Sequence, residues 1–307
     1  MGDLLSRCTL CPRLCKANRH ITRGFCGESD KIRICRASLH MWEEPCISGK
    51  SGSGTIFFTG CQLRCVYCQN SEIALSHAGL EISEDRLVEI FFELAEKGAN
   101  NINLVTPTHF TSQIICAIDK AKLNGFSLPF VWNSSGYENP ETLEMLRGKI
   151  DIFLPDLKYF SSELSRSFSH APDYFDIAKK ALDTMFSIAG KPVFDGNGMM
   201  RSGIIVRHLV LPSHTDDSIK IIKYLFDTFG HDIYISIMNQ YTPNERVGDL
   251  KDLGRRLTTY EYYKVVNFAA QIGIANAFIQ SRGTAVKSFI PPFDYTGVLK
   301  EQKKRPD

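Results

Sequence analysis

Nine of the ten cysteines of this 307-residue chain fall within its first 68 residues, at positions 8, 11, 15, 26, 35, 46, 61, 65 and 68. A disulfide framework staples small secreted domains that cannot build a core. This chain is long enough to bury a large one. Its start, MGDLLSRCTLC, has no charged stretch leading into an apolar run, so no secretory signal is expected. Crowded cysteines in a cytoplasmic chain point to metal ligation, and a cytoplasmic metalloprotein with a cysteine-rich N-terminal part is expected. Lys and Arg number 36 against 34 Asp and Glu, which argues against nucleic-acid binding by bulk charge. No apolar run approaches the roughly 18–20 residues that span a bilayer, so neither a membrane nor a nucleic acid is an expected partner.

Past residue 50 the texture changes. Short runs rich in Ile, Val and Phe alternate with helical patterns. The runs predict strands at 55–59, 102–106, 129–133, 150–155, 203–211 and 232–238, with a weaker seventh at 275–279. Continuous apolar runs of this kind suit strands buried on both faces. After Ser83, a helix N-cap with Glu84 and Asp85 in the first turn, Leu87, Ile90, Phe91, Leu94 and Ala95 recur at helical spacing and Gly98 closes the pattern. Further helices are predicted at 112–123, 140–147, 173–189, 216–229 and 258–272. Repeated strand–helix units imply a parallel sheet with helices outside. In such architectures chemistry gathers at the C-terminal ends of the strands.

The first predicted parallel strand runs through Gly60 into Cys61-Gln-Leu-Arg-Cys65-Val-Tyr-Cys68, a C-x3-C-x2-C loop. A structural zinc site normally takes a fourth ligand nearby, and the next cysteine is Cys116. Three thiolates on one loop suit a four-iron cubane with one iron left open.

This loop, set after a strand of a β/α repeat and carrying an aromatic, Tyr67, before its last cysteine, resembles that of the radical S-adenosylmethionine (AdoMet) enzymes. The resemblance extends to the group related to pyruvate formate-lyase activating enzymes and covers most of the chain. Gly60–Asn70 is similar to their cluster loop, Asn133-Ser-Ser-Gly136-Tyr137 to their polar-Gly-aromatic turn, Asp156-Leu-Lys158 to their Asp-x-Lys segment, and Arg207 through Pro212 to their fifth-strand Arg and Pro segment. It is most similar to a subset with Cys11-Pro-Arg-Leu-Cys15, Trp42-Glu-Glu-Pro-Cys46, Asn101–His109 and Met238-Asn-Gln-Tyr241. The resemblance implies an α/β fold, a partial (β/α)6 TIM-like barrel over residues 51–285, with a cysteine-rich metal-binding extension at 1–50 and a C-terminal tail at 286–307.

It further implies that Cys61, Cys65 and Cys68 hold a [4Fe–4S] cluster whose open iron is chelated by AdoMet. An electron from the reduced cluster then gives methionine and a 5′-deoxyadenosyl radical that takes hydrogen from a substrate. The implied partners are AdoMet, a one-electron donor such as flavodoxin or ferredoxin, and a glycyl-radical enzyme or other peptide as substrate of this activating-enzyme-like oxidoreductase. No catalytic residue beyond the cluster ligands is assigned. The Gly-Gly-Glu that holds the AdoMet amino group in the family is absent: residues 104–109 read Leu-Val-Thr-Pro-Thr-His, so Thr106, Thr108 or His109 is the expected acceptor. Asn133, Ser135, Asp156, Lys158 and Arg207 complete the expected cofactor-binding set. Arg207, in an apolar strand, must face the interior or a carboxylate; Asn239, Gln240 and Tyr241 follow the sixth strand and are lining or capping candidates.

Cys8, Cys11, Cys15 and Cys26 supply four thiols within 19 residues, enough for zinc or an auxiliary iron–sulfur cluster. Cys35 and Cys46 are alternative ligands, and Cys116, on a helical pattern, is expected to be an ordinary buried thiol. The competing function is a non-catalytic iron–sulfur or zinc-binding protein on a degenerate barrel.

Overall fold

The computed structural model describes residues 3–75, 78–280 and 291–300. Strand β1 (Ile32–His40) leads through a one-turn helix, α1 (Pro45–Ser48), to β2 (Ser53–Phe58). The loop 59–70 and α2 (Ser71–Leu75) follow, then β3 (Leu80–Ile82), α3 (Glu84–Glu96), β4 (Ile102–Val105), α4 (Thr111–Leu123), β5 (Phe130–Ser134) and α5 (Pro140–Glu144). The second half comprises β6 (Ile152–Pro155), α6 (Ser162–Ser169), α7 (Tyr174–Ala189), β7 (Val193–Phe194), β8 (Met200–Leu209), α8 (Thr215–Phe229), β9 (Tyr234–Met238), α9 (Thr259–Gln271) and β10 (Ala277–Ile279).

One sheet runs in the order β10-β9-β8-β6-β5-β4-β2-β1-β3. Every pairing from β2 to β10 along that path is parallel, whereas β1 pairs antiparallel with both β2 and β3. The ends of the path do not meet among the described residues, so the barrel is partial, with helices packed outside a continuous apolar core. The strands at its centre, β4, β5 and β6, are buried along their whole length. Ser83 caps α3 by accepting from the Arg86 N–H, and Leu87, Ile90, Phe91 and Leu94 form its buried stripe.

The stretch 1–50 is not wholly an extension to the barrel. Residues 32–40 form a strand of the main sheet, with a bulge between Ile34 and Arg36 that breaks its alternation. Because β1 is antiparallel to β2, His40 lies opposite Ser53, at the entry end of the barrel. There α1 places Cys46 and Ile47 against Val131, Ile152, Leu154 and Ile205, plugging the barrel from below. In the expected tail, residues 286–290 and 301–307 lie outside the described residues. The described part packs along β1: the Tyr295 N–H donates to the Cys35 carbonyl, the Ala37 N–H to the Thr296 carbonyl, and Val298 is fully buried. Cys116 is exposed on α4, not buried as expected, because its neighbours Ile114, Ile115 and Ile118 take the core side.

Candidate active site

The cysteine loop leaves β2 at Gly60, whose φ of +75° and close approach to the Cys26 carbonyl and Glu28 leave no room for a Cβ. The Cys61 N–H donates to the Cys26 carbonyl (3.2 Å), tying the loop to the N-terminal module. Arg13 of that module grips the far side, donating to the carbonyls of Gln62 (2.8 Å), Ser169 (3.0 Å) and His170 (2.6 Å). Buried Tyr67 makes edge contacts with Tyr159, Phe168 and Tyr241, which fix the loop from below its last cysteine. The Ser169 hydroxyl donates to Cys65 Sγ (3.0 Å).

Cys61, Cys65 and Cys68 open onto one cavity of about 720 Å³. Burial pushes the Cys65 thiol up and the Cys68 thiol to about 12, against the pull of the nearby Lys158 ammonium. As thiolates they therefore need a strong cation, which iron supplies. Among the described residues no three His, Cys, Asp or Glu side chains surround a single-ion position. The three thiols on one cavity would instead hold a cluster of several irons, and this donor set and cavity fit such a group.

Thr106, Asn133, Ser135, Asp156, Lys158 and Arg207 line the same cavity. They converge because β4, β5, β6 and β8 lie side by side in register: Val105 pairs with Asn133, and Asp156 bridges to Arg207. Gly136 turns the chain after β5 with a φ of +73°; a Cβ there would sit 2.2 Å from the Asp156 carbonyl. Tyr174 stitches the same turn, its hydroxyl donating toward the Ser135 (2.8 Å) and Asp156 (2.9 Å) carbonyls and accepting from the Lys158 N–H (2.9 Å). Thr106 and Arg64 hold positive φ of 58° each on the cavity wall, backbone strain of the kind that concentrates at sites.

The electrostatics form a chain. Lys158 Nζ donates to Asp156 Oδ2 (2.6 Å), Arg207 Nε to Asp156 Oδ1 (3.1 Å), Arg207 Nη1 to Glu43 Oε2 (3.1 Å) and Arg207 Nη2 to Asn133 Oδ1 (2.5 Å). Asn103 Nδ2 donates to Glu43 Oε1 (2.8 Å). Burial works to raise Asp156, but Lys158 and Arg207 outweigh it and hold the carboxyl below its usual range. Burial raises Glu43 and Glu44, with Arg207 opposing in each case.

His109 does not reach the cavity. It is buried in the core, its Nε2 against the Thr59 carbonyl (2.6 Å), with burial pushing its pKa down to about 3. Its own carbonyl accepts from Arg19. Thr108 is likewise internal, accepting from Gln62 and donating to Glu138. Gln240 lines the cavity, whereas the Tyr241 hydroxyl donates to the Leu253 carbonyl. In the N-terminal module Cys8, Cys11 and Cys26 are buried and Cys15 exposed. Arg19, fully buried, donates to the carbonyls of Ser29 and His109 and lies 4.0 Å from Cys8 Sγ.

Glu43, Glu44 and Ser236 also line the cavity, and none of the sequence motifs marks them as site residues. The available signal was the run Trp42-Glu-Glu-Pro-Cys46: two adjacent carboxylates before a proline, with no helical face to carry them to solvent.

A partial parallel barrel with a three-cysteine loop at the exit of its first parallel strand belongs to the class of iron–sulfur barrel enzymes. The Radical SAM superfamily model matches residues 55–225, more than half of the chain, and the protein belongs to that superfamily. Membership implies a [4Fe–4S] cluster and AdoMet. The chain is 28% identical over 283 residues to an uncharacterised protein, MJ0674, of Methanocaldococcus jannaschii, covering 89% of this chain and 77% of that one. Among solved structures it is similar to the FeFe-hydrogenase maturase HydG of Carboxydothermus hydrogenoformans, with a TM-score of 0.50, 16% identity, and coverage of 71% of this chain and 50% of that one. SuiB of Streptococcus suis bound to S-adenosylmethionine gives a TM-score of 0.48 and 13% identity over 73% of this chain and 49% of its own. The chain thus spans about half the length of these two structures, and the likeness to HydG is one of fold alone. No helix among the described residues is long and apolar enough to cross a membrane.

Proposed function

We propose that the protein is a radical AdoMet enzyme in which Cys61, Cys65 and Cys68 hold the cluster and the cavity they share with Asp156, Lys158 and Arg207 receives AdoMet and substrate. The observation that carries this reading is the opening of all three cysteines onto one cavity at the strand exits, beside a satisfied chain of buried charges. When bound, the cluster supplies the electron that splits AdoMet into methionine and a 5′-deoxyadenosyl radical. The protein's own part is positional. Lys158 offsets negative charge near Cys65 and Cys68, Asp156 aims Lys158 and Arg207, and Asn133 and Ser135 offer polar groups at the ends of the strands. Thr106 takes the place where the family's Gly-Gly-Glu would lie. His109 acts on the site only through the core.

The substrate falls among peptides, a glycyl-radical enzyme included, on the strength of the activating-enzyme-like motifs; a flavodoxin or ferredoxin is the fitting electron donor. Cys8, Cys11, Cys15 and Cys26 hold the second site of this reading, which takes an auxiliary iron–sulfur cluster better than a single ion; buried Arg19, 4.0 Å from Cys8 Sγ, sets a cation beside a thiolate there. Anaerobic reconstitution, dithionite reduction and addition of AdoMet test the enzyme reading. The expected product is 5′-deoxyadenosine. A fully loaded cluster that never yields it would leave the non-catalytic metal protein as the better account.

A further inference from the structure

The charge chain runs from the cysteine end of the cavity to its floor, and on the floor it leaves one group over. Both carboxylate oxygens of Asp156 and of Glu43 are engaged. Glu44, at the N-terminus of the plugging helix α1, lines the same cavity, is 8% exposed, and its Oε2 has no hydrogen-bond partner. Ser236 hydrogen-bonds the carboxyl group. Glu43, Glu44 and Asp156 share the cavity with Arg207, Lys158 and, at the cysteine end, Arg64; Asp156 and Glu43 are paired with cations, and among the described residues Glu44 is paired with none. His40, the remaining basic side chain at this end, stays neutral because burial and the charges of Arg207 and Arg36 lower its pKa to about 4.

We propose that Glu44 receives a positively charged group of the substrate, a primary ammonium or a guanidinium. The proposal rests on the radical AdoMet reading for the presence of a substrate at all. Trp42, Met238 and Phe278 line the cavity as well; they suit the alkyl stem of such a group and the face of a cation. A buried acceptor without a partner lowers stability, and sites are where proteins retain such losses. The sulfonium of AdoMet is the other cation at hand. Cys61, Cys65 and Cys68, which would hold the cluster that receives AdoMet, line the other end of the cavity. The pairs Lys158–Asp156, Asp156–Arg207 and Arg207–Glu43 lie between that end and the floor.

The test uses full-length protein, anaerobically reconstituted, in wild-type, Glu44→Gln and Glu43→Gln forms. The probes are 1,5-diaminopentane, agmatine and the neutral 1,5-pentanediol, followed by calorimetric Kd and by Tm; AdoMet binding is measured by equilibrium dialysis. Both cations are expected to bind the wild type and raise its Tm, and the diol to do neither. Glu44→Gln is expected to weaken cation binding by about tenfold or more, the loss of one charged hydrogen bond, with AdoMet binding unchanged and the ligand-free Tm not lowered. Glu43→Gln, which breaks a satisfied pair, is expected to lower Tm. Cations that bind no better than the diol overturn the proposal. So does a lower ligand-free Tm in Glu44→Gln, which makes Glu44 a structural partner of Ser236, or a loss of AdoMet binding in place of cation binding, which assigns Glu44 to the sulfonium. Formation of 5′-deoxyadenosine by the wild type in the same preparations separates the two failures: its presence leaves the enzyme reading standing when the substrate proposal falls.

Discussion

Asp156 divides its two oxygens between two buried cations, Lys158 and Arg207, the second of which also pairs with Glu43. Asp156→Asn leaves Lys158 and Arg207 side by side with one fewer negative charge. Removing one partner of a buried pair costs about 3–5 kcal/mol, so a lower urea midpoint is expected together with loss of AdoMet binding. An unchanged midpoint would show that the chain of pairs is slack. Since its folded-state pKa is depressed, Asp156 contributes stability that is present above the usual aspartate range and is lost as pH falls through the lowered value. Glu138 behaves oppositely. Fully buried, with a Thr108 hydroxyl on Oε1, it is raised by burial to about 7. The folded state therefore holds a proton that the unfolded chain releases near 4.5, and stability falls as pH rises from there through 7. Glu138→Gln should flatten that slope, gaining about 1–3 kcal/mol on wild type at pH 8 relative to pH 5. Parallel stability curves for the two proteins would contradict it. At the cluster, Cys65→Ala is expected to abolish absorbance near 400 nm (about that value, from thiolate-to-iron ligation) and all AdoMet cleavage; retained cleavage would remove Cys65 from the ligand set.

Among the elements, legibility followed period and length. Helix α3 was legible from Ser83 to its apolar stripe because a 13-residue helix repeats its pattern several times. The parallel strands were legible as mainly apolar runs, since burial on both faces leaves few polar positions, among them Asn103, Asn133 and Arg207 of the charge chain. Strand β1 was not, because its bulge at Ile34–Arg36 shifts the alternation and arginines occupy two of its nine positions. Helix α6, SELSRSFS, shows a single apolar pair, Leu164 and Phe168, too little to define a face. The turn after β5 was legible as a motif, but the need for Gly136 was not: the obstructing atom is the Asp156 carbonyl, from the next strand exit. Gly136→Ala must push that carbonyl and the aspartate it carries. A Tm several degrees lower is expected, at about 1 kcal/mol per 2–4 °C for a chain of this size, along with weaker AdoMet binding. Normal values for both would mean that the turn has room.

At the scale of the whole molecule, the N-terminal module acts on the cluster loop from a distance in sequence. Arg13 reaches carbonyls more than 150 residues away while lying over the rings of Phe25 and Tyr137. Arg13→Ala removes three hydrogen bonds, one to the loop at Gln62 and two to the end of α6 beside it, without touching a cysteine. The reconstituted variant should load the same iron as wild type but lose its absorbance near 400 nm (about that value) several-fold faster on dilution into chelator. Equal decay rates would show that the loop holds its shape unaided.

The sequence by itself determined the cysteine loop, the alternation of strands and helices, and thereby the superfamily, because each of these is written in spacings of a few residues. It also named Asn133, Ser135, Asp156, Lys158, Arg207 and Thr106, which the parallel register gathers at one cavity. Only the tertiary structure decided that His109 turns into the core, that β1 and α1 close the barrel from below, and that Glu43 meets Arg207 across 164 positions of chain while Glu44 is left with an unpaired oxygen. Periodicity reports which side of an element is buried. Which charges then face each other depends on distances through space, and those exist only once the strands stand side by side.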